Sequence, residues 1–197
     1  MDYDEQIPRK YLSRSEMEKR TAHFPEHIDV DRALAARNFE RALDLLHRLT
    51  TKELLSVKER RAQRTVLTSA RGRVVDVFIV ANVGGESLIL ISDSPEPGQT
   101  ISTIDYYTII EDAELKDLSQ SHLRASLIGP QVYDAVHFAF DQGIDRGEAL
   151  VTTLGDYPLI IVADESRGVG WIDLVCPVDA FTNLKEKCGS ETFGHSF

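Results

Sequence analysis

The densest run of side chains able to do chemistry is Lys58-Glu59-Arg60-Arg61-Ala62-Gln63-Arg64, followed by Arg71 and Arg73. From Lys52 to Arg73 the chain carries seven positive and two negative side chains. Guanidinium groups offer a fixed fork of donors that matches carboxylates and phosphates. Arg60, Arg61, Arg64, Arg71 and Arg73 are therefore the candidate partner-binding residues. On a helix, Arg60, Arg61 and Arg64 would lie along adjacent faces. The same run also suits a solvated face, or docking onto acidic parts of the chain itself. It contains no aromatic side chain on which bases could stack. An acidic protein surface or a second copy of the chain is thus the expected partner, with nucleic acid as the alternative.

Other chemistry-bearing patterns are weaker. His23-Phe24-Pro25-Glu26-His27 spells H-x-x-E-H, which on a helix would place two imidazoles around one zinc ion. Pro25 lies inside the span and pushes its neighbour out of helical geometry, so no metal site is assigned. His137 has Asp134 three residues before it and Asp141 four residues after it, within reach on a helix. A carboxylate can orient an imidazole for general-base work, and a small hydrolase or transferase centred on His137 is a further alternative. No Ser or Cys pairs with it by spacing. Two polar loops, residues 143–148 and 165–171, contain Gly and Arg and could nest an anion with Arg146 or Arg167. Neither has the glycine spacing of a nucleotide-binding fingerprint. Trp171, the sole tryptophan, suits either a core or an interface position. No catalytic residue and no cofactor is assigned.

The elements that must position these residues change character along the chain. Residues 1–28 read as an N-terminal arm, with overlapping capping-box patterns at Ser13-x-x-Glu16 and Ser15-x-x-Glu18 predicting a short helix over 14–22. Ala35, Phe39, Ala42, Leu43, Leu46 and Leu49 recur at helical spacing. Thr50-x-x-Glu53 is another capping box and predicts a second helix from there to residue 64 or beyond. Residues 29–72 therefore read as a basic helical region. Val74–Val83 and Ser87–Ser92 are rich in β-branched and aliphatic residues around Gly84-Gly85, which predicts a hairpin. A third strand is expected over 100–110, and helices over 114–127 and from Pro130 to Gly143. Strands at 150–154, 159–163 and 170–175 follow, then a helix over 179–187 and a tail over 189–197. Ile79-Val80-Ala81-Asn82 and Ile161-Val162-Ala163-Asp164 echo one another, but four similar residues do not establish a duplication.

The resulting order, αα-βββ-αα-βββ-α with short hairpin loops, predicts an α+β fold with a mainly antiparallel sheet. Residues 73–188 form its acidic body. Residues 1–73 carry a formal +4 and residues 74–197 a formal −14, within a net charge of −10. Such a split suggests two faces in different surroundings. The start of the chain lacks the basic flank and apolar run of a signal peptide. No stretch approaches the roughly 18–20 apolar residues of a membrane span. Cys176 and Cys188 are too few for a disulfide framework. A cytoplasmic, non-enzymatic interaction or regulatory protein is the expectation.

Overall fold

In the computed structural model the chain divides into two units, residues 1–35 and 36–197. The structure describes residues 39–85, 87–94, 97–109, 113 and 115–188, and everything below concerns these. The N-terminal arm, the short helix expected in it, the His23–His27 pattern and the tail over 189–197 lie outside them.

Two antiparallel sheets are stacked between two layers of helix. The first sheet is a meander of β1 (Arg61–Thr68), β2 (Val74–Asn82) and β3 (Leu88–Ser92) in the order β1-β2-β3. The second contains β4 (His122–Ile128), β5 (Ala149–Leu154), β6 (Tyr157–Ala163) and β7 (Trp171–Pro177) in the order β4-β7-β6-β5. Helix α1 (residues 39–49) and α2 (Gly98–Tyr107) cover the outer face of the first sheet. Helix α3 (Val132–Phe140) and α4 (Phe181–Cys188) cover the outer face of the second. The fold is α+β with antiparallel sheets, as the hairpin loops imply.

Strand alternation builds three apolar layers from two sheets. On β2, Phe78 and Val80 face α1 and α2, packed with Leu43, Leu46, Leu54 and Ile104. Ile79 and Ala81 face the opposite way, into a middle layer with Ala62, Ile91, Ala149 and Val162. On β6, Leu159, Ile161 and Ala163 face α3 and α4, against Val136, Leu174 and Leu184. The middle layer is rich in alanine, which lets the two sheets approach closely.

The backbones of the two sheets pair where β1 begins. Arg61 and Glu148 form an isolated antiparallel bridge. Ala62 N–H donates to the Gly147 carbonyl at 2.8 Å, and Ala149 N–H donates to the Arg60 carbonyl at 3.1 Å. Arg60 (φ 63°) and Gly147 (φ 72°) both adopt left-handed backbone at this seam. The reciprocity follows from topology, because α1-β1-β2-β3-α2 and α3-β5-β6-β7-α4 repeat the same path. The four-residue echo is nonetheless out of register with this repeat. Ile79 faces the middle layer, whereas Ile161 faces the helices, and a one-residue slip in a strand inverts every face.

Three elements differ from the sequence expectation, each for a physical reason. The helix predicted after Thr50 is instead a loop leading into β1. Glu53 caps only a local turn, accepting hydrogen bonds from the N–H of Ser56 at 3.2 Å and from its hydroxyl at 2.5 Å. Pairing of β1 with β2 overrides the helix propensity of its Arg, Ala and Gln residues. The boundary expected at 72/73 therefore falls inside one hairpin. The strand predicted over 100–110 is α2, which follows Pro97 and buries Thr100 and Ile104 one helical turn apart. Buried Asp76 ties its start to the sheet by accepting hydrogen bonds from the hydroxyls of Thr100 and Ser92, both at 2.6 Å. The helix predicted over 114–127 yields to β4, whose Ala125 and Leu127 alternate into the core. No helix among the described residues is long and apolar enough to cross a membrane.

Candidate functional site

The five arginines singled out by sequence lie on one hairpin but divide into two groups. Arg60 and Arg61 stand at the seam where β1 begins, in place of the helix face expected for them, and both are exposed. Arg60 has only a long contact, 3.9 Å, with Glu148. Arg71 and Arg73 are exposed in the turn between β1 and β2. Arg64 behaves differently: its side chain is 14% exposed and points between the sheets.

There Arg64 joins a cluster that sequence reasoning did not find. Its Nε donates to Asp164 Oδ2 at 2.9 Å and its Nη1 donates to Asp93. Arg124 on β4 makes a two-pronged pair with Asp173 on β7, both bonds at 2.9 Å. Asp173 is fully buried and also accepts from Ser126 Oγ at 2.5 Å and Trp171 Nε1 at 3.1 Å. Arg167 lies over the Trp171 ring at 4.1 Å, and bonds Asp164 at 3.1 Å and Asp93 at 3.1 and 3.2 Å. Ser166 supplies Asp164 with two further donors, its N–H at 2.9 Å and its hydroxyl at 2.7 Å. Burial alone would raise the Asp164 pKa, but the Ser166 bonds and Arg64 outweigh it and hold the carboxyl below its ordinary value. Three arginines and three aspartates thus join the rims of both sheets. The Trp171 indole, partly buried, belongs to this cluster.

The two glycine loops also converge. Residues 144–146 and 168–170 line one open cavity of about 480 Å³ together with Pro130 and Tyr133. Gly170 lets the second loop pack against the start of α3: a Cβ there would lie 2.7 Å from Val132 Cγ2 and inside contact distance of the Gly129 carbonyl oxygen. His137 is exposed on α3, away from this cavity. Both cysteines are free thiols, and burial pushes Cys188 up to about 11 and raises Cys176 as well. Neither is tuned as a nucleophile. Among the described residues no group of three or more His, Cys, Asp and Glu side chains is placed to hold a metal ion.

A stacked pair of antiparallel sheets, helix-covered on both outer faces and ionically clasped at one rim, defines the class of protein by architecture. No protein-family model and no curated protein matches the chain. Among solved structures it is similar to glycine cleavage system aminomethyltransferase T from Bartonella henselae, with 13% sequence identity and a TM-score of 0.60. The likeness covers 75% of this chain and 40% of that one. At this identity it is a likeness of fold, and the chain spans less than half the length of that enzyme.

Proposed function

We propose that the protein is a cytoplasmic, non-enzymatic interaction module that presents the β1–β2 hairpin to an acidic surface of a protein partner. One observation carries this reading. Arg61, Arg71 and Arg73 are exposed and make no ion pair among the described residues, whereas Arg64, Arg124 and Arg167 are neutralised inside the fold. Arg61 and the turn arginines stand at opposite ends of β1, a separation of about 20 Å at the usual strand rise. That spacing suits a protein surface of ordinary interface width better than one small ligand. The acidic remainder of the chain and the absence of an exposed aromatic on β1 or β2 weigh against nucleic acid.

The test is capture of partners from nuclease-treated native lysate by wild type and by Arg61/Arg71/Arg73→Glu. Arg64 is left intact because reversing it would break the ion cluster. A protein retained by wild type and lost by the variant, with both folding alike, supports the reading. Equal capture by both refutes it.

The likeness of fold supports a second reading, in which the chain is the corresponding part of an aminomethyltransferase. Transfer of an aminomethyl group by the purified protein, above the rate without it, would favour this reading over the first.

A further inference from the structure

Asp93 differs from the other two carboxylates of the ion cluster. The side chains of Asp164 and Asp173 are 2% and 0% exposed, and each is held by serine or indole donors besides guanidinium groups. The Asp93 side chain is 33% exposed, and its carboxylate is held by guanidinium groups alone among the described residues. Arg64 from β1 and Arg167 from the β6–β7 loop bond it, and Arg124 from β4, held by Asp173 and by the Ser92 carbonyl at 3.0 Å, stands beside it. This planar group with two oxygens does not fill what surrounds it. Arg124 Nη2 stops 3.8 Å away, beyond hydrogen-bond distance. Arg64 Nη2 is buried without a hydrogen bond, although it lies 2.7 Å from Asp164 Oδ2.

A tetrahedral oxyanion presents more acceptors in more directions, and clustered guanidinium forks are matched to it. The Asp93 backbone is independently anchored, its N–H donating to the Val77 carbonyl at 2.9 Å. Its side chain can therefore swing out by rotation at Cα–Cβ without unzipping β3. With Asp93 in place the cluster is neutral; without it the cluster carries one net positive charge.

We propose that Arg64, Arg124 and Arg167 form a binding site for a phosphate-class oxyanion borne by a small molecule, and that Asp93 is its tethered occupant. The incoming oxyanion displaces the Asp93 carboxylate into solvent and takes over its bonds to Arg64 and Arg167. No covalent step is involved. The site lies between the sheets and is independent of the hairpin surface above.

The probe is inorganic phosphate, titrated into wild type, Asp93→Asn and Asp93→Asn/Arg167→Gln at constant ionic strength against chloride. Calorimetry and the emission of Trp171, which packs under Arg167, are the readouts. If the tethered carboxylate fills the site at least nine-tenths of the time, its removal tightens phosphate binding at least about tenfold. Sulfate follows phosphate, acetate binds more weakly, and the double variant loses at least about tenfold. The proposal is overturned if Asp93→Asn shows no saturable response beyond chloride. Acetate matching phosphate, or a double variant binding as well as the single one, overturns it equally. Should Asp93→Asn lose its fold, the wild-type titration decides: saturable phosphate binding sustains the proposal and a flat titration ends it.

Discussion

Replacing Gly170 with alanine inserts one methyl group where the second sheet and α3 have no room for it. The added carbon would lie 2.7 Å from Val132 Cγ2 and 3.4 Å from Tyr133 Cε2, and well inside the contact distance of the Gly129 carbonyl oxygen. A backbone oxygen cannot rotate aside, so residues 129–132 must retreat on the order of 1 Å to restore ordinary contact distances. That movement pulls on the Gly129 N–H bond to the Gly170 carbonyl, now 3.0 Å, and lifts Val132 and Val136 from the core. Overpacking of this kind costs roughly 1–3 kcal/mol, and the strained hydrogen bond about 1 kcal/mol more. The sum, about 2–4 kcal/mol, lowers Tm by roughly 5–15 °C for a domain of this size. Urea and thermal unfolding followed by far-UV circular dichroism measure it, with the neighbouring Trp171 emission as a local reporter. Gly98→Ala is the control: its Cβ meets nothing within 4 Å at the start of α2, and its effect stays within about 0.5 kcal/mol. If Gly170→Ala unfolds with the control, the close approach of the loop to α3 is wrong.

Other perturbations test the cluster and the thiols. Arg124→Met leaves the fully buried Asp173 without its cation, at a cost of about 3–5 kcal/mol seen as a fall in urea midpoint. The Asp164 carboxyl, held below its ordinary pKa of 3.8, contributes stability that is fully present above the unfolded value, about 3.9. That contribution is lost as pH falls through the still lower folded value. Urea midpoints recorded below about pH 4 should therefore fall more steeply for wild type than for Asp164→Asn. With its pKa pushed up to about 11, the Cys188 thiol alkylates at least about tenfold more slowly at neutral pH than an unhindered cysteine. Buried Cys176 reacts only on unfolding, and mass spectrometry after timed iodoacetamide exposure distinguishes the two.

Where one period dominated locally, the fold was legible in the sequence. Val74–Val83 with Gly84-Gly85, and Leu159–Ala163 after Gly155-Asp156, could only be hairpin strands, and both are. The βββ grouping in the first half holds with one segment exchanged: β1 stands where a helix is expected, and α2 where the third strand is expected. In β1, Arg, Ala and Gln favour helix until β2 pairs with them. In α2, the β-branched Thr100, Ile101, Thr103 and Ile104 favour strand until burial at i and i+4 decides. The arginine run was visible, but not that Arg64 would be drawn inward, because its partner Asp164 lies 100 residues away. One signal was present: β4 has a single arginine among its residues and β7 a single aspartate in an otherwise apolar run. Lone opposite charges inside strands that pair are candidates for a buried ion pair.

The seam between Arg61 and Glu148 sets an order of events in folding. About 90 residues separate the two positions, and closing such a loop costs ~4 kcal/mol of chain entropy before any contact returns it. Within β1-β2-β3 and β5-β6-β7 the strands are joined by short connections and zip at smaller cost, whereas β4 reaches β7 across about 50 residues. Each meander is therefore expected to form around its own helices first, as a local unit with one alanine-rich face still wet. Meeting of the two faces is therefore expected late in folding, and until then each half exposes the edge on which the other must land.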